Sequence, residues 1–126
     1  MNRRSLSGLL VAALLVAALP ARAANVPLRA PEIEALLTGN TISGTWSGTP
    51  YRQYFAPDGT TVHVAGDGRR DEGRWRANPD TNDFESWWRG TGWLPFALVR
   101  TPAGELAWVN GDRLEPFEVL PGRQID

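Results

Sequence analysis

The sequence predicts a mainly β protein, a small eight-stranded antiparallel up-and-down barrel that carries one short N-terminal helix. After Gly39 the chain consists of short segments rich in β-branched and aromatic residues, interrupted about every ten positions by turn residues such as Pro57-Asp58-Gly59. The connections are short, so consecutive strands should pair as antiparallel neighbours. Closure would remove the two exposed edges of such a meander, which favours a barrel over the alternative of a two-sheet sandwich.

The N-terminal segment is predicted to be a secretory signal peptide over residues 1–23. Arg3 and Arg4 precede the apolar run 8–19, and Ala21-Arg22-Ala23 places small residues where a signal peptidase cleaves. The run has 12 residues, too few to span a bilayer as a helix. We therefore expect cleavage after Ala23, a periplasmic or secreted location and no membrane span afterwards. The arginine pair leaves the general and the twin-arginine export routes open.

Residues 24–40 are expected to form an extended lead-in and a short helix. The helix is predicted over Pro31–Leu37, because proline suits the first helical turn and Ile33, Leu36 and Leu37 share one face. Gly39 ends the helix as a C-terminal cap.

Residues 41–126 are predicted to form the barrel domain. Pro95 indicates an edge or a bulge, and Asn110-Gly111 is a favoured type I′ hairpin pair. The eight expected strands are 41–46, 51–56, 60–65, 72–77, 84–89, 93–100, 105–109 and 114–120.

Alternation along the strands predicts which side chains face the core. Gly73, Trp75 and Ala77 are expected to point inward. Val62 and Val64 are likewise expected on the core face, which turns His63 towards solvent. A barrel of eight strands is nearly filled by its own side chains but can hold one small ligand.

Composition argues against several classes of function. The chain has 126 residues with no cysteine and one histidine, so thiolate chemistry, disulfides and multi-histidine metal sites are excluded. The formal net charge is −1, and removal of the three signal-peptide arginines brings it near −4, which argues against nucleic-acid binding. No metal or cofactor is expected.

The residues that could support catalysis do not form a coherent set, so the sequence predicts a protein that is not an enzyme. His63 is the only group that titrates near neutrality, and no serine stands in a nucleophile elbow. Asp80, Asp83 and Glu85 cluster after Pro79, where a turn explains them. A hydrolase that uses His63 or these carboxylates is the enzymatic alternative.

Trp87, Trp88 and Trp93 are the predicted ligand-binding residues. Adjacent strand residues point to opposite faces, so one of Trp87 and Trp88 enters the core and the other lies outside or lines an opening. With Trp93 the outer ring would form an aromatic platform for a sugar, a peptide or an apolar ligand; alternatively it packs under the helix or a loop. The sequence thus predicts a non-catalytic exported module that binds an unknown small ligand or cell-envelope component.

The segment Ser47-Gly48-Thr49-Pro50-Tyr51 resembles the Ser-Gly-x-x-Tyr motif of the periplasmic inhibitors of c-type lysozyme, which are also small eight-stranded barrels. The resemblance implies that Ser47 and Tyr51 contact the cleft of a cationic cell-wall hydrolase. That family's second motif carries a lysine, for which Arg69 or Arg70 would have to substitute, since this chain contains no lysine. A negative mature chain would attract such a partner.

A second resemblance covers most of the mature chain. The helix is followed by Leu37-Thr38-Gly39-Asn40-Thr41, by Tyr54-Phe55 with Asp58-Gly59-Thr60, and by Gly73-x-Trp75. This pattern is similar to a group of uncharacterised secreted bacterial proteins, although the two cysteines that many of them carry are absent here. The resemblance implies a small secreted β domain without an established activity.

Overall fold

The computed structural model describes residues 23–126, which form one helix and ten strands. The predicted signal peptide lies, apart from Ala23, outside the described residues. Within the described part of the chain, no helix is long and apolar enough to cross a membrane. The elements are β1 (Val26–Pro27), α1 (Ala30–Leu37), β2 (Thr41–Trp46), β3 (Thr49–Phe55), β4 (Thr60–Ala65), β5 (Arg70–Ala77), β6 (Phe84–Trp88), β7 (Gly92–Phe96), β8 (Leu98–Arg100), β9 (Leu106–Asn110) and β10 (Arg113–Leu120).

All the strands belong to one antiparallel sheet in the order β1-β8-β9-β10-β2-β3-β4-β5-β6-β7. The sheet curls into an open half-barrel, because its two end strands, β1 and β7, do not pair with each other. The expectation of a mainly β, antiparallel fold with one short helix is confirmed. The prediction of eight strands and of a closed barrel is wrong.

Two additional strands explain the difference in number. The lead-in contributes β1, whose Val26 and Pro27 pair with Arg100 and Val99 of β8. The predicted strand 93–100 is interrupted at Ala97, so that its first half pairs with β6 and its second half with β9. The segment 92–100 therefore contributes a strand near each end of the sheet, β7 at one end and β8 near the other. The Ala97 carbonyl accepts a hydrogen bond from the backbone N–H of Val109 at 3.0 Å, which holds the junction against β9.

The β9–β10 hairpin pairs as predicted, with Val109 opposite Leu114. Its turn differs from the predicted Asn110-Gly111 pair by one residue. Asn110 pairs with Arg113, which leaves Gly111 and Asp112 as the loop, and of these two Gly111 alone has a positive φ, 63°. This is the requirement of a type II′ turn, in which glycine takes the first central position.

The predicted faces are correct for β5 and wrong for β4. Gly73, Trp75 and Ala77 are buried as expected. In β4, however, Thr61 is fully buried and His63 points into the barrel, so the half-buried Val62 and Val64 lie outside. Thr61 is tolerated inside because its hydroxyl donates to the Tyr54 carbonyl at 2.8 Å and accepts from Gln53 at 2.9 Å.

Helix α1 covers one end of the half-barrel. It begins one residue earlier than predicted, and the N–H of the preceding Arg29 donates to the Glu32 carboxylate at 3.2 Å. Ile33 and Leu37 are fully buried. The helix is attached at this end, since Asn82 in the β5–β6 turn accepts a hydrogen bond from the backbone N–H of Ala30 at 3.0 Å. In the described part of the chain, no helix covers the opposite end, where the β2–β3, β4–β5 and β9–β10 turns lie.

Candidate functional site

A cavity of about 260 Å³ opens at the end of the half-barrel that the helix leaves uncovered. We call it the mouth cavity. Inward positions of β2 to β7 and β9 supply its walls, because every second residue of a strand faces the interior. The lining comprises six aromatic and four polar side chains: Trp46, Tyr51, Phe84, Trp88, Phe96 and Trp108, with Gln53, His63, Asp71 and Ser86.

Trp88 owes its position to the glycine on the neighbouring strand. A Cβ at Gly73 would lie 2.7 Å from the Trp88 ring and would also meet the carbonyl oxygen of Trp87. Glycine thus lets the indole lie flat against the β5 backbone. The Trp88 indole N–H donates to the Ser86 hydroxyl at 3.1 Å, so the ring is oriented by a hydrogen bond as well as by packing.

The other aromatic rings of the cavity form two contacting groups. Trp46 meets Phe96 edge to face with ring centroids 5.5 Å apart. Trp108 contacts Phe84 at 4.7 Å and continues into the buried core. These distances fall in the range that aromatic pairs favour. The cavity wall is therefore a packed aromatic surface that continues the core rather than a gap between loops.

Tyr51 and His63 bring polar atoms into this aromatic wall. The Trp108 indole N–H donates to the Tyr51 hydroxyl at 3.0 Å, and the Tyr51 ring stacks on the His63 imidazole with centroids 5.1 Å apart. Burial raises the pKa of Tyr51 to about 12, against the lowering effect of the Trp108 hydrogen bond. The phenol thus stays neutral at any physiological pH.

His63 is a half-buried histidine in an environment that disfavours its charged form. Burial lowers its pKa from the ordinary value of 6.5, and Arg69 adds to this, whereas Asp71 opposes it. Asp71 lies directly opposite His63 in the β4–β5 ladder. Within the described residues His63 makes no side-chain hydrogen bond, so its ring nitrogens are available to a molecule in the cavity.

A second carboxylate, Glu115, lies on the rim near the β2–β3 turn. It is 4% exposed and accepts hydrogen bonds from the Ser47 backbone N–H at 3.1 Å and from Asn110 at 3.2 Å. The Ser47 hydrogen bond is the main reason that the pKa of Glu115 lies below its ordinary value. Arg113 approaches the same carboxylate at 3.5 Å. Glu115 is therefore ionised at neutral pH and locks two turns together at the rim.

The structure separates the three tryptophans that the sequence groups as one site. Trp88 lines the mouth cavity, whereas Trp87 and Trp93 form a cross-strand pair on the outer surface, each 37% exposed. The guanidinium of Arg76 lies 3.8 Å from the Trp93 ring centre. The outer pair and the cavity are thus two distinct aromatic surfaces on opposite faces of the same strands.

Ser47 and Tyr51 are also separated. Ser47 lies in the β2–β3 turn with φ at 48°, next to Gly48 at 84°, which is the pattern of a type I′ hairpin. Tyr51 is 6% exposed, and its side chain forms part of the cavity wall. Of the two residues, Ser47 alone therefore lies on the projecting turn.

The other predicted candidate carboxylates lie away from His63. Glu85 is bound to Arg76 at 2.7 Å on the outer surface. Asp80 and Asp83 lie in the β5–β6 turn at the helix end of the molecule, where Asn78 accepts a hydrogen bond from the Asp80 backbone. Among the residues that the structure describes, no three metal-ligating side chains converge.

Most of the residues that line the cavity were not predicted from the sequence. Trp46 and Trp108 stand alone on different strands, and nothing local shows that they meet. The available signal was alternation, since Trp46 follows Ile42 and Gly44 at steps of two on β2.

Comparisons with models of protein families, with curated proteins and with solved structures find no match.

Proposed function

We propose that this protein is a binding module that takes one small, largely apolar ligand into the mouth cavity. The observation that carries the proposal is an opening walled by six aromatic and four polar side chains. Ligand sites are typically concave and apolar, with a few placed polar groups that set orientation. The volume of about 260 Å³ lies near the lower end of such sites, so the ligand is small.

The polar groups of the cavity support binding rather than catalysis. Ser86 is occupied as the acceptor of the Trp88 indole, and Tyr51 is held neutral by burial. His63 faces Asp71, yet neither has a nucleophile as hydrogen-bond partner among the described residues. Nucleophilic catalysis needs a nucleophile and a base in contact. These groups instead suit hydrogen bonds to a ligand, with the aromatic rings supplying the contact area.

The position of Tyr51 favours the cavity over the hydrolase-inhibitor alternative. A turn that enters a partner's cleft must present its side chains outward, whereas the Tyr51 ring forms part of the cavity wall and its hydroxyl oxygen accepts a hydrogen bond from the Trp108 indole N–H. Ser47 remains on the rim of the cavity. Inhibition of c-type lysozyme therefore stays the alternative function, and binding of lysozyme is measured in the same experiment as ligand binding.

The test is a tryptophan-fluorescence titration of residues 24–126 with small aromatic and aliphatic compounds, peptidoglycan fragments and c-type lysozyme. Trp88→Phe is the site variant, and Trp87→Phe is its matched control one residue away on the outer face. We expect a compound that binds the parent protein and the Trp87→Phe variant equally, and the Trp88→Phe variant at least about threefold more weakly, because a ring contact worth on the order of 1 kcal/mol is altered. Binding lost equally in both variants, or no binding by any small compound, would overturn the proposal.

A further inference from the structure

The mouth cavity combines an aromatic wall with a negative charge. Six of its lining residues are aromatic, Asp71 is the one acidic residue, and neither lysine nor arginine lines it. We propose that its ligand is an organic cation, an amine or a quaternary ammonium group. This inference rests on the proposed binding function and names the class of ligand.

Aromatic faces attract cations because the ring quadrupole is negative above and below the ring plane. Three tryptophans, Trp46, Trp88 and Trp108, line the cavity that the cation would enter, and tryptophan is the strongest partner for this interaction. Partial burial within this aromatic wall strengthens the attraction, since a desolvated cation–π contact is worth more than an exposed one. A neutral apolar ligand would use the same surface without this gain.

The charges around the opening also favour a cationic ligand. Asp71 lines the cavity, and Glu115 lies near enough to Tyr51 to act on it electrostatically. Two basic groups near the opening are paired, since Arg69 binds Asp67 at 2.8 Å and Arg113 approaches Glu115 at 3.5 Å. An anionic ligand would face Asp71 with no cationic side chain in the lining to offset the repulsion.

His63 fits this assignment because it adds no positive charge at neutral pH. Burial and Arg69 lower its pKa, although Asp71 opposes them. The neutral imidazole offers a nitrogen lone pair that can accept a hydrogen bond from an ammonium N–H. The rings of Tyr51 and Trp88 lie against this imidazole, with their centroids 5.1 and 6.2 Å from its own.

The experiment compares choline with its neutral carbon isostere, dimethylbutanol, by following the indole N–H resonances of the protein by NMR. The two compounds have the same shape, so their difference in affinity isolates the charge. We expect choline to bind about tenfold more tightly, because a partly desolvated cation–π contact contributes on the order of 1 to 2 kcal/mol. The Trp88 and Trp108 resonances should shift, and the Trp87 and Trp93 resonances should not.

Asp71→Asn is the site variant, and Glu72→Gln is its matched control, since it removes the same charge from the next residue of β5 on the other face. Asp71→Asn should reduce choline binding several-fold and leave dimethylbutanol binding unchanged, and Glu72→Gln should change neither. Equal binding of the two compounds at the Trp88 side would overturn the cation assignment while the proposed binding function stands. Selectivity for choline that survives Asp71→Asn would overturn the role of Asp71, and binding by neither compound would overturn the inference.

Discussion

Gly73 shows how one residue without a side chain sets the shape of the cavity. Its Cα leaves room for the Trp88 ring, which a methyl group would contact at 2.7 Å, and the backbone carbonyl oxygen of Trp87 would lie closer still. Backbone cannot move aside as cheaply as a flexible side chain can. The position is therefore specific to glycine for a packing reason, not because of an unusual φ.

We predict that Gly73→Ala lowers the free energy of unfolding by about 1 to 3 kcal/mol, the usual cost of overpacking a filled interior. Urea unfolding followed by circular dichroism measures it. Gly66→Ala is the control, because the nearest atom to its new Cβ is the Pro50 carbonyl oxygen at 3.4 Å. A Gly73→Ala protein as stable as the Gly66→Ala protein would contradict the close packing of Trp88.

The burial of His63 makes the stability of the protein depend on pH. Its pKa in the folded protein lies below 6.5 because burial, assisted by Arg69, disfavours the charged ring more than Asp71 favours it. The unfolded chain thus binds more protons than the folded chain between the lowered pKa and about pH 6.5. The contribution of His63 to stability is complete above that window and is lost as the pH falls through it.

We therefore predict that the parent protein loses more stability than a His63→Phe variant when the pH is lowered from 7.5 to 5. Phenylalanine keeps a ring against Tyr51 but does not titrate. Urea midpoints for both proteins at several pH values give the difference, and the carboxylates that both share cancel in the subtraction. Parallel pH profiles for the two proteins would show that the burial of His63 does not influence its titration.

At the scale of elements, α1 and the turns divide the half-barrel into two ends with different roles. The helix fills one end with Ile33 and Leu37, which are fully buried against the sheet. The hairpin turns at the other end leave the mouth cavity open. A change buried at the helix end should therefore lower stability without weakening ligand binding, which depends on the residues of the mouth.

Leu37→Ala is predicted to lower the free energy of unfolding by about 2 to 5 kcal/mol, since it leaves a cavity under the helix. Glu34→Ala, on the exposed face of the same helix, should stay within about 0.5 kcal/mol of the parent protein. Urea unfolding measures both. In the folded Leu37→Ala protein the affinity for a mouth-cavity ligand should be unchanged, and a large loss of affinity would show that the two ends are coupled.

At the scale of the whole molecule, the predicted cleavage site after Ala23 lies before the first described strand. Within residues 23–126, the first strand residue is Val26, which pairs with Arg100. Cleavage after Ala23 would therefore leave the sheet intact. A domain without cysteine depends on its core for stability, and the aromatic cluster from Phe55 through Trp108 to Phe117 supplies it.

We predict that the exported protein has the intact mass of residues 24–126, measured after expression of the full chain in a secreting bacterial host. An Ala23→Arg variant should retain its signal segment, because the peptidase requires a small residue before the cleaved bond. A mass that still includes residues 1–23 in the parent protein would contradict the proposed processing.

Much of the secondary structure could be predicted from local pattern alone. Turn residues and alternation are properties of a few neighbouring residues, so β4 has its predicted bounds and β9 pairs with β10 as expected. The exceptions have long-range causes. β1 exists because β8 offers it an edge, and the break at Ala97 exists because its two flanks pair with different neighbours.

The sequence by itself determined the antiparallel β class, the single helix and the inward face of β5, since short-range pattern controls each of them. Tertiary structure decided which face of β4 is interior and which tryptophan enters the cavity. Alternation defines two faces of a strand but does not say which of them is enclosed. That choice follows from the direction in which the sheet curls, set by pairings such as Leu120 with Thr41, between residues far apart in the chain. The mouth cavity exists only once that pairing has formed.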